Sequence, residues 1–168
     1  MTEDQNKPRA TSHSLSFSTK ARLRLAGWYP TRNVWGRLAL PPEFEIFPAA
    51  QKVLCEFGGL VFKNSDGITT LDPRLCSDAT DEIMQYEKLL GRRLYPLGRS
   101  EGGDTIDILI DDRGVVYGLA GWLEPLASSF AVAVGYLARI YAIKQKEQRE
   151  DLAAAGLLGK SWRLPESR

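Results

Sequence analysis

The chain has 168 residues, of which 43% are hydrophobic, and its formal net charge is +1. This length suits one domain with tails, and the near-neutral charge gives no global reason to expect nucleic acid as a partner. The two cysteines, Cys55 and Cys76, are too few and too widely spaced for a disulfide framework or a zinc site, and they fit a reducing compartment.

Charge is unevenly distributed along the chain. Residues 1–37 carry a net charge of +5, residues 38–143 a net charge of −6, and residues 144–168 a net charge of +2. The amino terminus lacks the apolar core of a secretory signal, and the apolar runs are interrupted well before the roughly 20 residues that a membrane span needs. We therefore expect a cytoplasmic protein with an acidic body, basic ends and no membrane contact.

The first third of the chain predicts a tail and two helices. Residues 1–16 are polar and are expected to be disordered. Ser18 or Thr19 is predicted to cap a first helix. A second helix is predicted over 47–57, with Pro48 in its first turn. The residues assigned to the buried face of the first helix are Ala21, Leu25 and Trp28.

The next segment predicts a hairpin and a third helix. Gly58 and Gly59 end the second helix, and strands are expected at 60–62 and 68–71 around the turn at 64–67. Asp78 is predicted to cap a helix that runs to Leu90.

Residues 91–122 predict three consecutive strands, around which the domain is organised. The first is a short apolar run at 95–98 that ends in a turn at 99–103. The second, at 105–111, alternates, with isoleucines on a buried face and Asp107 and Asp111 on a face expected to be mostly exposed to solvent. Gly114 supplies the turn before a third strand at 115–119.

The last predicted element is one long helix that begins between 125 and 129 and ends near Arg149. The resulting order of elements indicates an α+β fold, in which a mostly antiparallel sheet has helices packed mainly on one side. We divide the chain into a polar tail (1–16), one domain (17–149) and a charged carboxyl-terminal extension (150–168).

Catalytic and metal-binding patterns do not emerge from the sequence. The single histidine, His13, lies in the polar tail, and neither cysteine has a base at a recognisable spacing. Asp104, Asp107, Asp111 and Asp112 lack the spacing of a calcium loop. We therefore expect no catalytic residue, no metal and no cofactor, and a binding module is the default interpretation.

Five segments, in order, resemble one family. ARLRLAGWYPTRNV (21–34), FPAAQKVLCEFGGLVF (47–62), LDPRL (71–75), YEKLLGRRLYPLG (86–98) and IDDRGVVYGLAGW (110–122) are similar to motifs of the third subfamily of SUKH immunity proteins. The resemblance implies an α+β domain of bacteria that neutralises a cognate toxin protein, often a nuclease or nucleic-acid deaminase, by binding it and not by catalysis. The positions that match its motifs, which we take as fold determinants, are Phe57, Gly58, Gly59, Gly98, Gly114 and Trp122.

The acidic body suggests where such a toxin would bind. A toxin that acts on nucleic acid has a basic active face, to which acidic side chains are complementary. The residues that we assign to an acidic binding face are Asp66, Glu101, Asp104, Asp107, Asp111 and Asp112. Two alternatives remain open: a regulator or adaptor of the same fold that binds a host protein, and a small enzyme that uses carboxylates alone.

Overall fold

The computed structural model describes residues 15–64, 67–138 and 145–165. These residues form five α-helices, two 3-10 segments and six strands. The helices are α1 (Phe17–Leu25), α2 (Pro48–Phe57), α3 (Thr80–Leu90), α4 (Phe130–Leu137) and α5 (Gln145–Ala154), and the 3-10 segments are Trp35–Arg37 and Pro73–Ala79. The strands are β1 (Val61–Asn64), β2 (Gly67–Thr70), β3 (Leu94–Gly102), β4 (Thr105–Asp111), β5 (Val116–Leu119) and β6 (Leu123–Ala127).

The strands form one antiparallel meander in the order β1-β2-β3-β4-β5-β6. The predicted α+β class with an antiparallel sheet is therefore confirmed. β1 and β6 are the two edges of this open sheet. None of the described helices is long and apolar enough to cross a membrane.

Both faces of the central strands are covered. Asp107 through Asp111 are five consecutive buried residues of β4, and successive side chains of a strand point to opposite faces. On one face Tyr95 packs edge-on against Phe44 and Phe47, which precede and cap α2. On the other face the 3-10 segment Pro73–Ala79 lies against β3. The prediction that the aspartate face of β4 is mostly exposed was therefore wrong.

The carboxyl-terminal half contains an element that the sequence did not predict. Leu123–Ala127 forms the edge strand β6 against β5, so the first described helix of this region, α4, begins only at Phe130, and α5 covers Gln145–Ala154. Residues 139–144, in the middle of the predicted helix, lie outside the described residues. Pro125 favoured a helix start, but proline is also tolerated in an edge strand, which is where it lies.

Helix α1 turns a different side toward the core than its sequence predicted. Ser16 caps it, accepting a hydrogen bond at Oγ from the Thr19 amide at 3.3 Å. Leu23 is fully buried, whereas Leu25 is 90% exposed. Trp28, beyond the helix end, is buried as predicted and stacks on Phe57.

Two other boundaries also shift. The predicted first strand of the meander continues through the expected turn, because β3 extends to Gly102 and pairs with β4 along that length. Asp78 does not cap α3, since the preceding residues form a 3-10 segment and α3 begins at Thr80. Of the polar tail expected at 1–16, residues 1–14 lie outside the described residues, and Leu15 is buried in the core.

Candidate partner-binding surface

The five described residues of the predicted acidic binding face do not form one surface. Glu101 and Asp104 are exposed where β3 turns into β4, whereas Asp112 is exposed at the opposite end of β4, about 25 Å away at the rise of an extended strand. Asp112 contacts Arg92 there, at 3.5 Å. Asp66 lies outside the described residues.

Asp107 is buried and forms its ion pair inside the domain. It is 6% exposed, and it lies directly across from Arg99 in the β3–β4 pair. The Arg99 guanidinium donates from Nε to Oδ1 of Asp107 at 2.6 Å and from Nη2 to Asp78 at 2.5 Å. These hydrogen bonds raise the pKa of Arg99 and lower that of Asp78. Arg99, which the sequence analysis did not single out, therefore links the 3-10 segment to the sheet.

Asp111 is also buried, at 1% exposed, and it closes the β4–β5 turn. Its Oδ1 accepts hydrogen bonds from the amides of Arg113 and Val115, and its Oδ2 accepts one from the hydroxyl of Tyr117 at 3.1 Å. Burial nevertheless raises the pKa of this carboxyl group. The bonds of Asp111 are made inside the domain, which leaves the side chain little access to a partner.

The motif positions separate into core, backbone and surface residues. Phe57 is fully buried and packs on Phe130 with ring centroids 5.0 Å apart. A Cβ at Gly98 would overlap the carbonyl oxygen of Thr70, so only glycine fits where β2 and β3 approach. Trp122 is 40% exposed, with Arg163 stacked 5.3 Å from its centroid. Gly58 and Gly59 follow the end of α2, and Gly114 lies in the β4–β5 turn.

Neither cysteine is placed for nucleophilic chemistry. The Cys76 thiol donates to the carbonyl oxygen of Gly98 at 3.2 Å inside the core. Burial is the main cause that raises its pKa, with the nearby charge of Asp107 adding to it. Cys55 is half-buried, and its pKa is also raised by burial. Among the described residues no three His, Cys, Asp or Glu side chains are grouped to hold a metal ion.

The structure instead gathers exposed acidic and apolar side chains at the β1–β2 end of one sheet face. Directly paired residues share a face, and the register places Ile68 opposite Glu101 and Val61 opposite Thr70. Val61 is 41% exposed and Ile68 is 40% exposed. This surface, which we call the acidic sheet face, comprises Val61, Ile68, Asp78 and Glu101, together with Asp104, which is exposed in the adjoining β3–β4 turn.

Cations on the same face leave it acidic. Lys63 pairs with Ile68, and Arg99 is already bound to two carboxylates. Glu82, in the first turn of α3, adds a further carboxyl group, and its pKa is raised by burial and by the charge of Asp107. The alternation of β4 gave no sign of this arrangement, because it depends on pairing between strands that are distant in sequence.

The comparisons with known proteins identify the family. No curated protein and no solved structure matches the chain. The sequence model of the SUKH-3 immunity protein family matches residues 15–125, from the residue before the α1 cap into β6. This match spans most of the chain and includes every residue of the acidic sheet face, and the chain therefore belongs to the SUKH-3 immunity protein family.

Proposed function

We propose that this protein is an immunity protein that binds and neutralises a cognate toxin domain, and that the toxin acts on nucleic acid as a nuclease or a deaminase. The observation that carries the proposal is the family match over residues 15–125. Neutralisation is by binding: the protein covers the toxin's active face and performs no chemistry of its own.

The acidic sheet face is the surface that suits this role. A toxin that handles nucleic acid presents Lys and Arg side chains to phosphates. Glu101 and Asp104 stand exposed at the tip of the β3–β4 turn, where they reach such cations first. Val61 and Ile68 supply apolar contact area behind them. An apolar centre with a charged rim is the usual anatomy of a specific protein interface.

The same arrangement favours fast capture. An immunity protein must bind its toxin before the toxin reaches its substrate, and complementary charges raise the association rate. Exposed charges are screened by salt over about 8–10 Å at physiological ionic strength. We therefore expect the association rate to fall as salt concentration rises, while the apolar contacts hold the complex together afterwards.

Co-expression with the polypeptide encoded immediately upstream tests the proposal. Cells that express this polypeptide alone should stop growing, and cells that also express the present protein should survive and yield a complex that co-purifies. A polypeptide inactivated at its own active site serves as the control for binding without toxicity. Purified complex should also lack the nucleic-acid degradation or deamination that the free toxin shows.

Toxicity without rescue, or rescue without a complex, would contradict the proposal. The regulator or adaptor alternative would then be tested by capture from whole lysate. A stable complex with a toxin that does not act on nucleic acid would retain the immunity role and overturn the choice of toxin class.

A further inference from the structure

The described residues cover one edge of the sheet and leave the other edge without a paired strand. At the β6 edge, the amide and carbonyl of Trp162 exchange two hydrogen bonds with those of Leu123, at 2.8 and 2.9 Å. The amide group of Gln148, on α5, donates to the carbonyl oxygen of Leu126 at 2.9 Å. At the β1 edge, no strand among residues 15–64, 67–138 and 145–165 pairs with the outer side.

The backbone of β1 presents hydrogen-bonding groups outward. Just beyond the ends of β1 and β2, the Leu71 amide donates to the carbonyl oxygen of Leu60 at 2.9 Å, and the Leu71 carbonyl oxygen accepts from the Gly59 amide at 2.7 Å, so this position is hydrogen-bonded. Bonded and non-bonded pairs alternate along an antiparallel ladder. The backbone N–H and C=O groups of Phe62 therefore point toward β2. The backbone N–H and C=O groups of Val61 and Lys63 point away from the sheet.

A groove runs beside this open edge. It has a volume of about 360 Å³ and lies between α1 and β1. Arg22 and Leu25 line one side of it, and the three consecutive strand residues Val61 to Lys63 line the other. Because adjacent strand residues all contribute, the groove follows the edge of the backbone. Leu25, 90% exposed, gives it an apolar wall without a described partner.

The groove has a basic rim. Its described lining carries two cationic side chains, Arg22 and Lys63, and no carboxylate. Residues 15–37, which include α1, contain five Lys or Arg and no Asp or Glu. A lysine on an edge strand discourages pairing with a second copy of the same chain, since a symmetric pair would bring like charges together. Acidic side chains on an incoming strand would meet complementary charges instead.

We propose that the open edge of β1 binds an extended segment of a partner protein, in which apolar residues alternate with Asp or Glu, and that this segment adds to the sheet as a further antiparallel or parallel strand. Main-chain hydrogen bonds to Val61 and Lys63 align the segment, as in other cases of strand addition. Successive side chains of the segment point to opposite faces of the sheet. Its apolar side chains therefore contact Val61 on one face, and its carboxylates reach Arg22 on the face that α1 covers. The β1 edge shares Val61 with the acidic sheet face, and the proposal does not depend on which toxin is bound.

Synthetic peptides test this proposal directly. The probe is a fluorescein-labelled peptide of about ten residues, enough to exceed a typical strand, in which Val and Thr alternate with Glu. Its binding to the full chain is followed by fluorescence polarisation. A peptide with Lys in place of every Glu should bind about tenfold more weakly or not at all, because it opposes the basic rim.

Backbone methylation tests the strand geometry. Two further peptides carry N-methyl groups on alternate residues, one in each of the two possible phases. The peptide whose N-methyl groups point toward β1 should not bind. The peptide whose N-methyl groups point away from β1 should bind as well as the unmethylated peptide. Amide hydrogen exchange of the complex should show new protection at Val61 and Lys63. Equal binding of the two methylated peptides would overturn strand addition.

Charge reversal tests the rim. The double variant Arg22→Glu and Lys63→Glu should prefer the Lys peptide over the Glu peptide, whereas the control Lys160→Glu, on an exposed residue away from the groove, should behave as the wild type. Circular dichroism and urea unfolding establish that each variant is folded. No binding of the Glu peptide to the wild type, no change of preference in a folded double variant, or a dimer of the wild type that buries β1 would each overturn the proposal.

Discussion

Arg99 and Asp107 face each other across β3 and β4, and the guanidinium Nε donates to the carboxylate at 2.6 Å. Asp107 is nearly inaccessible, and Arg99 is the cation that compensates for the burial of its carboxylate. Breaking a buried ion pair by removing one member leaves an uncompensated charge in the interior. The stability of the domain is therefore expected to depend on Arg99 more than on any exposed arginine.

Replacing Arg99 by methionine should lower the free energy of unfolding by about 3 kcal/mol, because Asp107 then stays buried without its partner. Urea unfolding measures the change. The double variant Arg99→Met and Asp107→Leu should recover much of the loss. Arg74→Ala is the control, since its pairing with Asp72 is exposed, and no measurable change is expected there. Equal stabilities of Arg99→Met and Arg74→Ala would contradict this account.

Asp111 should make stability depend on pH. Its pKa is raised by burial in spite of the hydrogen bonds from Val115 and Tyr117. A carboxyl group with a higher pKa in the folded protein binds its proton more tightly there, so its contribution to stability is fully present below the unfolded pKa of about 3.9 and is lost as pH rises through the folded pKa. In the variant Asp111→Asn, residue 111 cannot ionise, so it makes no such pH-dependent contribution to stability. The stability of the wild type relative to Asp111→Asn should therefore fall as pH rises from the unfolded pKa through the folded pKa of Asp111.

Asp78→Asn is the matched control for that measurement. The hydrogen bond from Arg99 lowers the pKa of Asp78, so its contribution to stability is present above the unfolded pKa and is lost as pH falls through the folded pKa. The stability of the wild type relative to Asp78→Asn should thus rise with pH, opposite in sign to the Asp111 comparison. Parallel pH profiles for the two variants would show that the raised pKa of Asp111 is wrong.

The sequence predicted those elements whose signals are local. Helix α2 was predicted nearly to the residue, because Pro48 suits its first turn and Gly58 follows its last residue. The β1–β2 hairpin was marked by the turn-forming residues at 64–67. These signals act within a few residues, so they hold whatever surrounds them.

Features that depend on distant partners were missed. The alternation in β4 correctly placed its isoleucines inside, but it did not indicate that Asp107 would be neutralised by Arg99 from the neighbouring strand. In helix α1 the spacing favoured Ala21 and Leu25, but packing with the rest of the core buries Leu23, on the opposite side of the helix, instead. The acidic sheet face was missed for the same reason, because its residues come from β1, β2, β3 and the 3-10 segment, which are distant in sequence.

Gly98 should be among the least replaceable residues in the chain. A Cβ there would overlap the Thr70 carbonyl and crowd the Leu71 backbone, neither of which can move without shifting β2. Gly98→Ala is expected to cost about 3 kcal/mol or more, at the upper end of overpacking effects. Gly103→Ala is the control, because a Cβ there meets nothing within 4 Å. Thermal unfolding of both variants decides the point, and similar melting temperatures would contradict the steric argument.

The end of the chain should contribute to stability, although the sequence suggested only a charged extension. Trp162 pairs with Leu123 and packs edge-on against Tyr117 at a centroid distance of 6.0 Å. Trp162→Ala should destabilise the domain by about 2 kcal/mol, since it removes a large aromatic contact. Trp122→Ala, at a half-exposed motif position, should cost less than about 1 kcal/mol. The reverse ranking in urea unfolding would assign the structural role to Trp122.

The acidic sheet face predicts which acidic residues control toxin capture. Glu101→Lys and Asp104→Lys together should slow association with the cognate toxin by about tenfold at low salt, because both charges meet the toxin early. Dissociation should change less, since Val61 and Ile68 remain. Stopped-flow or biolayer measurements at about 50 and 300 mM salt separate the two rates and their screening.

Asp112→Lys is the matched control for this pair of substitutions, because the sequence assigned Asp112 to the same binding face and the structure places it at the opposite end of β4. If the acidic sheet face is the docking surface, Asp112→Lys leaves the association rate and its salt dependence almost unchanged. If Asp112→Lys slows association and the Glu101 and Asp104 substitutions do not, the toxin binds at the β4–β5 turn. Because Asp112→Lys also removes the contact with Arg92, unfolding curves of every variant are compared with the wild type, and loss of folding does not explain a change in rate when the curves coincide.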